Sequence, residues 1–260
     1  MFFDKIFYFF TKFYIQNVVN KLSQNKIYNH TIYQGGRKME ENTIYMPMIG
    51  SNAPRFSANS TFGPLKLTDY IGKWLVFFCH PSDFTPVCTT EIMSFSKLHD
   101  EFKKRNCELL GLSVDSNPSH LAWVRDIEKN TGTTVTFPII SDLNKDIAKM
   151  YGMLTNSQDN TKTVRNVYIL DPKQKIRCML IYSAENGRNI TEILRMVDAL
   201  QITDKEGVAT PANWVPGSAT IIPSPQNYND LMEKMKNNNI NNCMDWYLCF
   251  NKENNDLRRW

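Results

Sequence analysis

The stretch HPSDFTPVCTTE, residues 80–91, sets one thiol, Cys88, between an apolar run (KWLVFFC, 73–79) and a helix-like segment. A cysteine in the first turn of a helix faces unpaired backbone N–H groups and the positive end of the helix dipole. Both favour the thiolate, which is the reactive nucleophile. Pro81 and Pro86 stiffen the backbone and remove donors, so the loop can hold one geometry and restrict water. Thr85, three residues before Cys88, can offer a hydroxyl to a small polar substrate beside the sulfur. An isolated cysteine at a helix start is commonly just a small buried hydrophobe. Here Pro, Thr and Cys form one constellation, and it points to nucleophilic redox chemistry.

The flanking elements must hold that thiol. KWLVFFC has strand length, and 89–106 carries Ile92, Phe95, Leu98 and Phe102 at helical spacing. CELLGLSVD (107–115) reads as a second buried strand, 119–130 as a helix, and TFPIISD (136–142) as strand then turn. VRNVYILD (164–171) and IRCMLIYS (176–183) read as a hairpin around PKQK, and 190–203 as an amphipathic helix. Strands alternating with helices argue for an α/β fold. Beyond it, Pro211, Pro216, Pro223 and Pro225 break up an arm that continues into a short helix and CMDWYLCF (243–250). The expected organisation is an extension over 1–38, a main domain over 45–203 and a C-terminal arm over 204–260 that packs on the domain or on a second subunit.

Composition narrows the function classes. The chain has 260 residues, 42% apolar and 22% charged, as expected of a globular protein, and no apolar run approaches membrane-spanning length. Residues 1–38 carry five Lys and one Arg against one Asp, so the net +4 of the whole leaves the rest at −1. A body without a basic cluster gives no support for nucleic-acid binding. Phe2, Phe3, Phe7, Phe9, Phe10 and Phe13 crowd the start, which suits an amphipathic anchor or a targeting peptide. GGRKM (35–39) is also what a purine-rich ribosome-binding stretch followed by a start codon would encode, so the expected start is Met39. Six cysteines without a secretory signal suggest a reducing, cytoplasmic setting, with Cys79, Cys107 and Cys178 inside strand-like runs as packing residues.

PSDFTPVC resembles the P-x-x-x-T-x-x-C signature of the peroxiredoxins, thiol peroxidases on a thioredoxin-like fold, and the wider HPSDFTPVCTTE is similar to their one-cysteine class, which includes archaeal thioredoxin peroxidases. The resemblance runs from about Ile49 to Phe250. It implies an α/β thioredoxin-like fold, with a mixed sheet flanked by helices. It implies that Cys88 attacks the peroxide O–O bond and becomes a sulfenic acid, that Thr85 positions the peroxide, and that Pro81 shields the sulfenate. Arg165 would stabilise the thiolate and the developing oxyanion, Arg188 would support the pocket, and Glu91 would orient Arg165. His80 matches a histidine of this class, and a strand-end histidine bonded to backbone is an equal reading. CMDWYLCF is similar to the C-x-D-W-x-x-C element of the archaeal enzymes, which makes Cys249 the resolving cysteine for Cys88 of a neighbouring subunit and Cys243 a relay. That pair could instead bind zinc, for which the spacing is poor, or sit idle in an aromatic anchor. The resemblance further implies hydrogen peroxide and alkyl hydroperoxides as substrates, a thioredoxin-like reductant, and a pentamer of homodimers.

Other readings compete. The same cysteine could serve a one-cysteine peroxidase using a small-molecule thiol, or a holdase ring or peroxide sensor. A dithiol–disulfide oxidoreductase is disfavoured because the active loop holds no C-x-x-C. The phospholipase activity of some relatives is not expected: the matching stretch, YIGKWLVFF (70–78), holds no serine, and no G-x-S-x-G occurs. No Walker or G-x-G-x-x-G loop is present, and no cofactor or metal is expected.

Overall fold

A computed structural model describes residues 33–34, 37–38, 46–154, 162–236 and 242–251. The chain divides into two compact units, 1–44 and 45–260. Of the first, the described part is an antiparallel pair, β1 (Tyr33–Gln34) and β2 (Arg37–Lys38). The rest of the 1–38 extension lies outside the described residues.

The second unit is built on a seven-stranded mixed sheet in the order β4-β3-β7-β6-β5-β8-β9. Its strands are β3 (Ser57–Ser60), β4 (Gly63–Lys66), β5 (Trp74–Cys79), β6 (Cys107–Ser113), β7 (Ile139–Ser141), β8 (Arg165–Leu170) and β9 (Ile176–Tyr182). Every residue of β5 is buried, as an apolar run at the middle of a two-faced sheet requires. The two-residue period of the strand then divides it: Trp74, Val76 and Phe78 enter one core, Leu75, Phe77 and Cys79 the other.

The first core is roofed by helices. α1 (Pro86–Lys104) and α2 (Asn117–Thr131) bring Ile92, Phe95, Phe102, Trp123 and Ile127, and α4 (Ile190–Glu206) brings Ile193 and Val197. Phe78 stacks on Phe95 at 4.1 Å between ring centroids. The second core holds Phe56, Tyr151 and Tyr168 around Phe77, with the short α3 (Asp146–Met150) beside it. β5 and β6 are parallel, joined by α1, and β5 pairs antiparallel with β8, whose hairpin partner is β9. The sheet with helices against it is the thioredoxin-like arrangement expected from the sequence.

The expected elements stand, with shifted ends. α1 starts at Pro86 rather than at 89, because a proline at the first helical position needs no hydrogen bond there. β7 is shorter than the apolar run suggests because Pro138 precedes it. Within the main domain, the β3–β4 hairpin, a 3-10 turn at Leu67–Tyr70 and α3 had no sequence reading. In the arm, Trp214 is buried and its carbonyl accepts from Arg195 of α4. A small antiparallel sheet follows, in the order β10 (Ile221–Ile222), β12 (Leu248–Phe250), β11 (Cys243–Asp245), with helix α5 (Tyr228–Lys236) between β10 and β11 in the chain.

Candidate active site

Cys88 is the third residue of α1, after the extended N-cap Thr85 and Pro86. Its side chain is fully buried and its thiol is free. The Thr85 hydroxyl donates to the Ser82 carbonyl at 2.8 Å, which fixes its oxygen and leaves a lone pair for a ligand. Pro81 is buried against the strand end, while Phe84 is exposed and takes a left-handed backbone, φ 54°.

Glu91 follows Cys88 by three positions, so both point to one face of α1. Arg165 opens β8, the strand beside β5, and its Nη1 donates to Cys88 Sγ at 3.3 Å and to Glu91 Oε2 at 2.7 Å. Its Nε and Nη2 hold the Ala184 carbonyl at 2.9 and 2.6 Å. Arg188 closes the other side of Glu91: its backbone N–H and Nε each reach Oε1 at 2.8 Å, and Nη2 reaches Oε2 at 2.7 Å. Arg188 also binds the carbonyls of Cys79 and Asn166 and lies 5.2 Å over the Phe78 ring.

All three charged side chains are buried. Burial alone would raise the Glu91 carboxyl; the bonds and charge of Arg188, then the charge of Arg165, outweigh it and hold it below the usual carboxylate range. One carboxylate thus neutralises one of two guanidiniums, and the surplus positive charge lies at Arg165, against the sulfur. A guanidinium at hydrogen-bond distance from a sulfur is the type of group that can hold negative charge developing there.

The other expected residues fall into two groups. His80 directly follows β5, with its N–H on the Leu112 carbonyl and its own carbonyl accepting from Thr163. Its ring bonds a carboxylate rather than backbone: Nε2 lies 3.0 Å from Asp83 Oδ1. Cys243 and Cys249 lie on neighbouring strands β11 and β12 and are joined to each other by a disulfide, Cα atoms 4.0 Å apart. The sequence reading paired Cys249 with a neighbour's Cys88; within this chain it is Cys243 that holds it. Cys79 and Cys107 are buried as expected, and burial pushes the Cys79 thiol up to about 11. Sequence reasoning missed Asp83 and His120; His120 lies 37 positions from Asp83, beyond any local pattern.

A buried thiol at a helix start on a thioredoxin-like sheet, with a buried arginine on its sulfur, is a candidate site for thiol redox chemistry. The AhpC/TSA family model matches residues 49–179, and the C-terminal domain of 1-Cys peroxiredoxin matches 199–238. Peroxiredoxin 2 of Caldanaerobacter subterraneus is 54% identical over 209 residues, 80% of this chain and 95% of the relative. A peroxiredoxin of Aquifex aeolicus is 48% identical over 80% of this chain and 98% of its own. Among solved structures, a yeast mitochondrial 1-Cys peroxiredoxin, described with a thiol-resolving mechanism via glutathione/thioredoxin systems, superposes with TM-score 0.69 at 46% identity, covering 79% of this chain and 99% of that one. The chain belongs to the AhpC/TSA family, the peroxiredoxins, and is a thiol peroxidase whose substrates are peroxides and whose reductant is a thiol.

Proposed function

We propose that the chain reduces hydrogen peroxide and small alkyl hydroperoxides at Cys88 and is recycled through its own C-terminal cysteines. The observation that carries this reading is the Arg165 Nη1 contact to Cys88 Sγ, 3.3 Å, with Glu91 holding the same nitrogen. The sulfur pair attacks one peroxide oxygen, the O–O bond breaks, and the products are Cys88 sulfenic acid and water or an alcohol. Thr85 positions the peroxide, Pro81 shields the sulfenate, Arg165 carries the developing charge, and Glu91 and Arg188 hold Arg165 in place.

Resolution follows by two exchanges. The thiol of Cys249 in a partner subunit displaces water from the sulfenic acid and forms a Cys88–Cys249 disulfide. Cys243 then attacks Cys249 within its own chain, Cys88 returns as a thiol, and Cys243–Cys249 is left as the disulfide that a thioredoxin-like dithiol reduces. The closed Cys243–Cys249 pair supports this order, since it is the product of the second exchange. The cycle needs a dimer, with the main domain over 45–203 and the arm over 204–260 reaching across; we extend this to a pentamer of dimers in the cytoplasm. A one-cysteine cycle with a small thiol is the second reading, favoured by the match to the 1-Cys C-terminal domain.

Intact mass and non-reducing gels after one equivalent of hydrogen peroxide separate these. Loss of the covalent dimer in Cys88→Ser and Cys249→Ser, with its accumulation in Cys243→Ser, supports the two exchanges. A monomer gaining one oxygen at Cys88 means a one-cysteine enzyme, and an unmodified Cys88 sinks the peroxidatic role. Stoichiometric oxidation without turnover by any dithiol donor would instead favour a sensor or holdase.

A further inference from the structure

One peptide unit in the loop before α1 is held at both ends. The Asp83 N–H donates to Asp115 Oδ2 at 2.9 Å, and the carbonyl of the same peptide, that of Ser82, accepts from Thr85 Oγ1 at 2.8 Å. The peptide is trans, so these two groups point opposite ways. A line of hydrogen bonds thus runs from the Asp115 carboxylate, through the Ser82–Asp83 peptide, to the Thr85 hydroxyl. The Ser82 hydroxyl adds a longer contact, 3.3 Å to Asp115 Oδ1.

Asp115 is itself fixed by the sheet. It lies two residues beyond β6, whose last residue, Ser113, donates its hydroxyl to Asp115 Oδ2 at 2.7 Å and accepts the Asp115 N–H at 3.0 Å. Ser141, the last residue of β7, donates to the Asp115 carbonyl at 2.7 Å. Two strand ends therefore set where the carboxylate stands, and the carboxylate sets the peptide. Between the held peptide and Thr85 lies Phe84, at φ 54°. A left-handed backbone at a bulky side chain is unfavourable and persists only where its neighbours impose it. Here the bonds of Asp83 N–H and Thr85 Oγ1 stand on either side of it.

A threonine hydroxyl carries one hydrogen. In Thr85 that hydrogen is committed to the Ser82 carbonyl, so towards a bound molecule the oxygen acts only as an acceptor. Hydrogen bonds in a chain polarise one another, and a carboxylate at its head makes the Ser82 carbonyl a stronger partner for that hydrogen. We propose that Asp115 is a positioning residue for Thr85: through the Ser82–Asp83 peptide it turns the threonine hydroxyl so that its oxygen accepts a hydrogen bond from the bound hydroperoxide. This rests on the peroxidase reading and names what orients the threonine within it. Asp115 acts on the Cys88 reaction only by way of Thr85.

A double-mutant cycle tests this. Asp115→Ala is expected to lower kcat/KM for hydrogen peroxide by about tenfold to a hundredfold, the scale for a displaced positioning group. In Asp115→Asn an amide oxygen at the place of Oδ2 still accepts from Asp83 and Ser113, so most of the activity should return. Thr85→Val removes the hydroxyl, and adding Asp115→Ala to it should bring no further fall. Ser119→Ala removes a different support of the same loop, the 2.8 Å bond to Asp83 Oδ2, and should keep the wild-type rate. Amide hydrogen exchange of the reduced wild type should show the Asp83 N–H protected. Falls that multiply in the double variant mean a general loosening of the loop and overturn the proposal. So do a wild-type rate in Asp115→Ala, an equal fall in Ser119→Ala, or an Asp83 amide that exchanges as freely as exposed loop. The amide result is read on wild type and decides the bond even if Asp115→Ala does not fold; Asp115→Ser, too short to reach Asp83, then takes its place in the cycle. Absence of peroxide turnover in wild type overturns the peroxidase reading itself, and that control separates the two failures.

Discussion

Arg165 makes four polar contacts with one guanidinium: sulfur, carboxylate and, twice, the Ala184 carbonyl. Lysine offers a point charge that cannot span them. Arg165→Lys should therefore lower kcat/KM by about 100- to 1000-fold, the range for losing a preorganised donor, as read in a peroxide consumption assay. Glu91→Gln acts on the other side of the account. It leaves two buried guanidiniums without their shared counter-charge, and breaking such a network costs about 3–5 kcal/mol. Denaturant unfolding checks the loss. In wild type the folded-state carboxyl of Glu91 is depressed, so its contribution is present at neutral pH and lost as pH falls through that depressed range. Glu91→Gln should flatten the acid limb of the stability curve. Cys88, Thr85 and Pro81 could be read from sequence because their chemistry is packed into eight positions. Arg165 and Arg188 were reachable only through resemblance, since nothing local distinguishes either from a solvated charge. Asp83 lay inside HPSDFTPVCTTE and still gave no signal, because its partners Ser119 and His120 reach it only once α2 is packed.

The strands and helices that carry the site were legible wherever apolar residues keep a period. β5, α1 and α4 do so, and were read to within a few residues. The β3–β4 hairpin was not: SANS and GPLK are polar, small or proline-bearing, and they form strands because Phe56, Ala58 and Leu65 pack on the second core. Tertiary context there overrides local preference. At this scale the packed pair Phe78–Phe95 joins strand to helix directly beneath the site. Phe95→Ala should cost about 3–5 kcal/mol, measured by thermal or denaturant melting. The strand end carries a second signature. Burial lifts the Cys79 thiol from its ordinary 9 to about 11, so between those values the folded state holds a proton the unfolded state has released. Stability is then full below about pH 9 and falls by up to about 3 kcal/mol as pH rises to about 11. Cys79→Ala should remove that slope from an alkaline titration of unfolding.

Across the whole molecule, the described part of the arm mixes buried residues, Trp214, Thr220, Cys249 and Phe250, with exposed ones. α5 has no buried residue, and Met244 of β11 and Trp246 and Tyr247 at the tip of the β11–β12 hairpin are exposed. Trp214 ties the arm to α4: it is buried and its carbonyl accepts from Arg195. If the arm serves a partner subunit, Trp246→Ser with Tyr247→Ser should slow formation of the covalent dimer after peroxide while leaving the rate of Cys88 oxidation unchanged, which stopped-flow fluorescence and quenched gels can separate. No helix among the described residues is long and apolar enough to cross a membrane.

One turn of α1 separates Cys88 from Glu91, and that spacing governs how the site can open. Cys88 is fully buried, so a protein thiol can meet it only if the first helical turn unwinds. Glu91 lies beyond the part that must come loose. When the sulfur swings out, Arg165 loses one contact and keeps Glu91 and the Ala184 carbonyl. No buried cation is orphaned by the movement. The barrier to opening is then set by a few backbone bonds of one turn, while the charged floor beneath stays assembled and ready to receive the sulfur again.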